Sequence, residues 1–233
     1  MPSSPPSPGD PPLRDGGAGL EVRERRVRHA TIRVLPSGRV MVTAPPGTHI
    51  PSLIERNRDW IERKRGEMEE ISRSLAGQEG RILLGGRFLR LEGGPSCEIR
   101  QEEGILSYAS PRDLKEFLKG QLREDLLSRI QVQAVRMNLR VTGMTVREQR
   151  SRWASCSPAG RISVNLRVIA LPSTLRDYLV VHELTHLLEP NHSRKYWERV
   201  GEFFPDYRNA EEELKRYWIL LEQDSIWEVL KKI

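Results

Sequence analysis

The segment V-V-H-E-L-T-H-L-L-E-P-N-H-S, Val180 to Ser193, holds three of the chain's five histidines within eleven positions. Its apolar residues predict a helix over Pro172 to Leu188, ended by Pro190, which cannot continue one. On that helix His182 and His186 stand four apart. One turn places such a pair on the same face, with Cβ atoms about 5–6 Å apart. Two imidazoles so placed can converge on one metal ion at about 2.0–2.1 Å each. Glu183, about 100° further round the helix, reaches a water on that metal without having to bind the ion itself.

This is the H-E-x-x-H arrangement of zinc hydrolases, with the glutamate as general base. A chain of this composition holds one by chance in roughly one case in a hundred. A third protein ligand is needed, with the fourth position left to water. His192 is the best candidate, because Pro190 and Asn191 turn the chain between it and His186. Zincins with a longer H-E-x-x-H-x-x-G-x-x-H motif use the same gap but carry glycine where this chain has Glu189. A downstream glutamate, Glu211, Glu212 or Glu213, is the alternative third ligand, although a charged first helical turn explains all three. The bland reading, a core helix that happens to carry histidines, would bury several polar rings without partners. His29 and His49 have no ligand spacing to anything and read as surface or packing residues.

Outward from this helix, Ser193 is a good N-cap for a further helix, R-K-Y-W-E-R-V-G-E-F-F, which Pro205 stops; E-E-E-L-K-R-Y-W-I-L-L forms another. Upstream lie two or three strands: M-T-V-R-E-Q, then, after the loop R-S-R-W-A-S-C-S-P-A-G, the strand R-I-S-V-N-L-R. That last strand is a candidate edge for pairing with an extended peptide. Pro111 opens a long helix whose stripe runs through Leu114, Leu118, Leu122, Leu126 and Ile130 and which breaks near Asn138. Residues 81–109 read as strands with a hairpin at Gly85-Gly86. Pro51 starts another long helix with Leu53, Ile54, Trp60, Ile61, Met68, Ile71 and Leu75 on one face. Before it, Leu20 to Pro45 reads as a meander of short strands. The expected fold class is α+β: a disordered tail over 1–19, a β-rich region with a long helix over 20–110, and a catalytic domain over 111–233 with a small antiparallel sheet and an active-site helix. No internal repeat is found.

Composition narrows the classes. The 233 residues suffice for a real core without staples, and carry a net charge of +6, with pI near 9.6. Lys and Arg number 17 against 13 acids in residues 1–100, and 21 against 19 beyond. That excess is mild and spread out, whereas a nucleic-acid footprint clusters its charge. The densest basic stretch, Arg23 to His29, alternates like a solvated strand. Two cysteines, Cys97 and Cys156, make no disulfide framework and fit a reduced, cytoplasmic protein. No apolar run is long enough to span a membrane, and the Pro-rich start lacks the features of a secretory signal.

Three blocks together, S-R-W-A-S-C-S-P-A-G-R-I-S-V-N-L-R, D-Y-L-V-V-H-E-L-T-H-L and N-H-S-R-K-Y-W, resemble the YgjP-like metallopeptidase family over about residues 145–220. The family's usual loop reads R-W-G-S-C-S; Ala154 stands here in place of that glycine. The resemblance implies a zincin-like fold, distantly similar to SprT and WLM proteases, with one zinc per chain on His182, His186 and His192 and Glu183 as base. The expected activity is hydrolysis of an amide bond in a peptide or protein substrate. Arg152, Tyr196 and Asn165 are candidates for stabilising the oxyanion. Trp153 and Cys156 have packing and loop closure as their plain roles. A Cys156 nucleophile is a rival mechanism, but it leaves Glu183 and the third histidine without a purpose. The rival from another class is a nucleic-acid-associated or regulatory protein with a structural zinc, which would want a fourth protein ligand and no base.

Overall fold

The computed structural model describes residues 14–15, 19–35, 37–149 and 151–232. Most of the expected tail lies outside them; within it Arg14–Asp15 form a two-residue strand, β1. Packing divides the chain into residues 1–76 and residues 77–233.

The first unit is a four-stranded sheet with two helices. Strands β2 (Leu20–Glu24), β3 (Thr31–Val34) and β4 (Val40–Ala44) follow β1. The sheet order is β1-β2-β4-β3, with β2 parallel to β4 and β3 antiparallel to it. This is not the expected meander, because β2 pairs in parallel with β4 rather than with β3, which follows it in the chain and joins β4 through a tight turn at Gly38. The basic stretch is not one strand either. β2 ends at Glu24, and Arg25 to His29 form an exposed connection long enough to carry the chain past β4's position. Val40, Val42 and Ala44 alternate inward onto Ile61. The single helix expected from Pro51 is two, α1 (Ile50–Arg56) and α2 (Arg58–Leu75). The break is local: the Asn57 side chain donates back to the Leu53 carbonyl at 2.8 Å, the contact by which such residues compete with helix propagation.

The second unit holds all the remaining elements. Strands β5 (Arg81–Leu84), β6 (Arg87–Gly93), β7 (Glu98–Arg100) and β8 (Ile105–Tyr108) make a sheet of order β5-β6-β8-β7. The β5–β6 turn uses Gly85 and Gly86 at φ 58° and 82°, the left-handed pair that a two-residue hairpin requires. These strands bring Ile82, Leu83, Leu84 and Leu106 into one apolar cluster with Leu114, Leu118 and Leu122. A boundary at 110/111 would cut through that cluster; the packing draws it between Ala76 and Gly77 instead.

Helix α3 (Pro111–Arg136) is the platform of this unit. Ser110 caps it by accepting from the Asp113 amide at 3.1 Å, and Asn138, at φ 52°, takes the chain out of it. Beside α3 lies a second sheet: β9 (Gly143–Arg147), β10 (Ala154–Cys156) and β11 (Arg161–Asn165), in the order β10-β11-β9. It was expected to be antiparallel and is mixed, since β11 runs antiparallel to β10 but parallel to β9. β11 is therefore the central strand, with both edges paired, so R-I-S-V-N-L-R cannot be the peptide-binding edge. Gly160 closes the β10–β11 turn at φ 75°, where a Cβ would meet the Arg140 carbonyl oxygen at 2.9 Å.

A 3₁₀ turn, Leu166–Ala170, leads into α4 (Ser173–Thr185), then α5 (Arg194–Phe203), α6 (Tyr207–Gln223) and α7 (Ser225–Leu230). Helix α4 is bound to α3 by a charge network. Arg129 donates to Asp125 and Asp177, at 2.6 Å to the latter, and Arg176 donates to Asp125 at 2.8 Å. No helix among the described residues is long and apolar enough to cross a membrane.

Leu118 is fully buried while Val135, on the same helix, is 77% exposed. Leu118→Ala should cost about 2–5 kcal/mol of unfolding free energy in urea denaturation, and Val135→Ala less than about 0.5 kcal/mol. Equal effects would mean that α3 is rotated from this placement.

Candidate active site

Helix α4 is buried on most of its circumference, with Leu175, Tyr178, Leu179, Val181 and Leu184 in the core. His182 and Glu183 ride on its last turn and His186 caps it. The chain then tightens through bonds from the amides of Leu188 and Glu189 to the Thr185 carbonyl, passes Pro190, and enters α5. Ser193 caps α5 by accepting from the Tyr196 amide at 3.3 Å. His192 lies directly before that cap.

The turn brings the three histidines together. One ligand nitrogen from each of His182, His186 and His192 lies within 4.8 Å of the other two. His182 Nε2 and His192 Nε2 are 3.3 Å apart. No other described residue joins this metal-capable group. Tyr196, wholly buried, packs its ring against all three, at centroid distances of 5.4, 4.8 and 4.6 Å. Its hydroxyl donates to the His182 carbonyl at 2.9 Å. Trp197 stacks on His192 and Tyr207 on Trp197. On the far edge of His182, Nδ1 is 3.1 Å from the Tyr178 hydroxyl, which donates to Glu211 at 2.6 Å. Glu211 thus lines the same cleft without joining the metal-capable group, and Glu212 and Glu213 are exposed.

Burial sets the charge states. It pushes His182 down to about 3, with the His186 and His192 rings lowering it further. It lowers His186 as well, helped by His192. Neutral imidazoles are the form that ligates metals. Glu183 is 5% exposed. Burial raises it to about 7, against the pull of the Arg152 charge and of the Cys156 amide, which hydrogen-bonds to it. Its Oε2 is buried without a hydrogen-bond partner. An orphaned carboxylate oxygen next to three converging imidazoles fits a site whose remaining occupants are a cation and its water.

The loop over the site explains the other expected residues. Strand β10 packs on α4, and Arg152, Trp153 and Cys156 line a cleft of about 640 Å³ with the histidines and Glu183. Asn165 is not free to face a reacting group: its amide donates to the carbonyls of Gln149 and Arg152 at 2.8 and 3.0 Å. Tyr196 is engaged by the His182 carbonyl. Among the three oxyanion candidates, Arg152 alone has a side chain exposed in the cleft. Trp153 meets Trp218 edge-on at 5.0 Å. Ala154 sits in a regular strand, and among the described residues Asn138 is the one non-glycine with positive φ, so nothing at 154 calls for glycine. Burial pushes the Cys156 thiol up to about 11, aided by the Glu183 charge; such a thiol is a poor nucleophile. His49 caps α1 through its Nδ1, and His29 is exposed on the β2–β3 connection.

The sequence model described as "YgjP-like, metallopeptidase domain" matches residues 28–217. The chain belongs to this family. Its members are hydrolases by name, so a peptide or protein substrate and a catalytic metal come with membership. No curated protein matches the chain. Among solved structures, the crystal structure of the metallopeptidase zymogen of Pyrococcus abyssi abylysin is similar at 21% identity and a TM-score of 0.36, covering 38% of this chain and 90% of that one. In this YgjP-like chain, reasoning from sequence missed Tyr178, whose signal was its place four residues before His182, and the aromatic stack of Trp197 and Tyr207.

Glu183 also sets a stability test. Its folded pKa lies above its unfolded value, so the folded state loses stability as pH rises from about 4.5 to about 7. In metal-free protein, Glu183→Gln should therefore stabilise the fold at pH 8 by on the order of 1–3 kcal/mol and change it little at pH 4.5. Denaturant titrations at the two pH values read this directly; a variant less stable at pH 8 would contradict the burial.

Proposed function

We propose that this metallopeptidase is a zinc enzyme that holds one zinc per chain on His182, His186 and His192 and uses Glu183 as general base. The observation that carries the reading is the convergence of three imidazole nitrogens beside a buried carboxylate with one unpartnered oxygen. Imidazole ligands favour zinc. When bound, zinc supplies Lewis acidity, bringing a water's pKa towards about 7 and polarising a carbonyl. Glu183 takes the water's proton and returns it to the leaving amine, a task suited to a carboxylate whose pKa is raised towards neutrality. Arg152 offers a positive charge in the cleft for the developing oxyanion.

The substrate is read as an extended peptide laid along β10. The Asn165 amide donates to the Trp153 carbonyl, and the Ser157 amide to the Arg161 carbonyl, so Trp153, Ser155 and Ser157 direct their backbone groups at β11. By alternation, Ala154 and Cys156 direct theirs at the free edge. The Cys156 amide already serves Glu183, which joins the docking edge to the base. The structural-zinc reading has less support, because among the described residues no fourth protein ligand joins the group and a buried carboxylate, Glu183, lines the same cleft.

Elemental mass spectrometry of the purified chain should give about one zinc, lost in His186→Ala. Glu183→Gln should keep the zinc and lose at least about 100-fold in turnover of a peptide library. Zinc absent from the wild-type chain after reconstitution, or cleavage undiminished in Glu183→Gln, would end this reading.

A further inference from the structure

Tyr178 is wholly buried, on the same face of α4 as His182 and one turn before it. Its hydroxyl has one proton and two neighbours: Glu211 Oε1 at 2.6 Å and His182 Nδ1 at 3.1 Å. A carboxylate only accepts, and a length of about 2.5–2.7 Å is that of a charge-assisted O–H···O⁻ bond. The tyrosine proton therefore goes to Glu211. The contact with His182 then needs a donor, which can only be the ring's own Nδ1–H. That assignment leaves Nε2 of His182 with its lone pair free. Nε2 is also the nitrogen that meets the cluster, with His192 Nε2 3.3 Å away.

We propose that Tyr178 and Glu211 are positioning residues that lock His182 in the Nδ1–H tautomer, so that Nε2 is presented to the metal with no rearrangement. The proposal rests on the metal site read above. It gives Glu211 a role different from that of a third ligand: its carboxylate lies 3.8 Å from His182 Nδ1, not at the Nε2 that meets His192, and it is not in the metal-capable group. Through the tyrosine the carboxylate also makes the imidazole a more electron-rich ligand, the usual action of outer partners on a metal-bound histidine. Helix α6 carries Glu211 and α4 carries the other two, so the packing of α6 on α4 holds the relay in register.

The test uses the full chain and zinc itself. Competition with a chromogenic chelator should show zinc affinity weakened 10–100-fold in Tyr178→Phe. Glu211→Gln, which keeps an acceptor for the hydroxyl but removes the charge, should weaken it by a smaller factor. The double variant should match Tyr178→Phe within about threefold, because both act through one chain of bonds. Nitrogen-15 NMR of the histidine rings in metal-free protein should show His182 as the Nδ1–H tautomer, lost in Tyr178→Phe and retained in Tyr196→Phe. The Tyr196 variant removes an equally buried hydroxyl from the His182 carbonyl and controls for packing damage. An Nε2–H tautomer in the wild type, or undiminished zinc affinity in Tyr178→Phe, would overturn the proposal. A wild-type chain that binds no zinc would instead sink the metal reading, while the tautomer measurement, made without metal, would still decide the relay.

Discussion

Helix α4 must be apolar enough to sit in the core and polar enough to carry a reaction centre, and most of the second unit follows from that conflict. Three of its sides are sealed by α3, α5 and α6. Polar atoms on such a helix have nowhere to find water, so each needs a partner from the protein. The partners are supplied one by one. Thr185 bonds back to the Val181 carbonyl, Tyr178 finds Glu211, the His182 carbonyl finds Tyr196, and one oxygen of Glu183 finds the Cys156 amide. The other oxygen is buried without a hydrogen-bond partner. On this helix Arg176 Nε is also unpartnered, but the carboxylate oxygen is the one on the turn that carries the histidines, and that makes it a pointer to the chemistry.

The charges respond to the same constraint. Burial drives His182, His186 and the Glu183 carboxylate towards their neutral forms, so in isolation these groups shed their charge. A divalent cation reverses the balance for the carboxylate, since a nearby positive charge favours the ionised form. On the proposed reading the base and the ligands would be matched: the burial that lowers His182 and His186 also keeps Glu183 from ionising too readily. Arg152, on a backbone braced by Asn165, adds a positive charge that Glu183 feels without pairing with it.

Much of the site was legible because its geometry is local. His182, Glu183 and His186 are tied by the helical period, and His192 by a turn that Pro190 dictates. The stripe of α3 and the Gly85-Gly86 hairpin are equally local and were read correctly. What sequence did not reveal is what depends on tertiary partners. Glu211 is 33 residues from the tyrosine it serves, and its place in a run of three glutamates looks like ordinary helix-terminus chemistry. The position of β11 was misread because alternation says which face a strand buries but not which neighbours it acquires. Asn57 broke a helix that its apolar stripe alone would carry through. The 81–108 strands were grouped with the wrong unit because hydrophobic runs do not say which core they enter.

His192 lies off the helix, beyond a proline turn, and Ser193 immediately begins α5. A cation held by His186 and His192 would thus act as a cross-link between two helices whose only covalent tie is that turn. The loop it closes is short, so its ordering would be local rather than global. Metal would organise the junction between α4 and α5, where the Trp197–Tyr207 stack also begins, while α3 and the two sheets of this unit would stand without it. Occupancy of the centre and the shape of one wall of the cleft are by this arrangement the same variable.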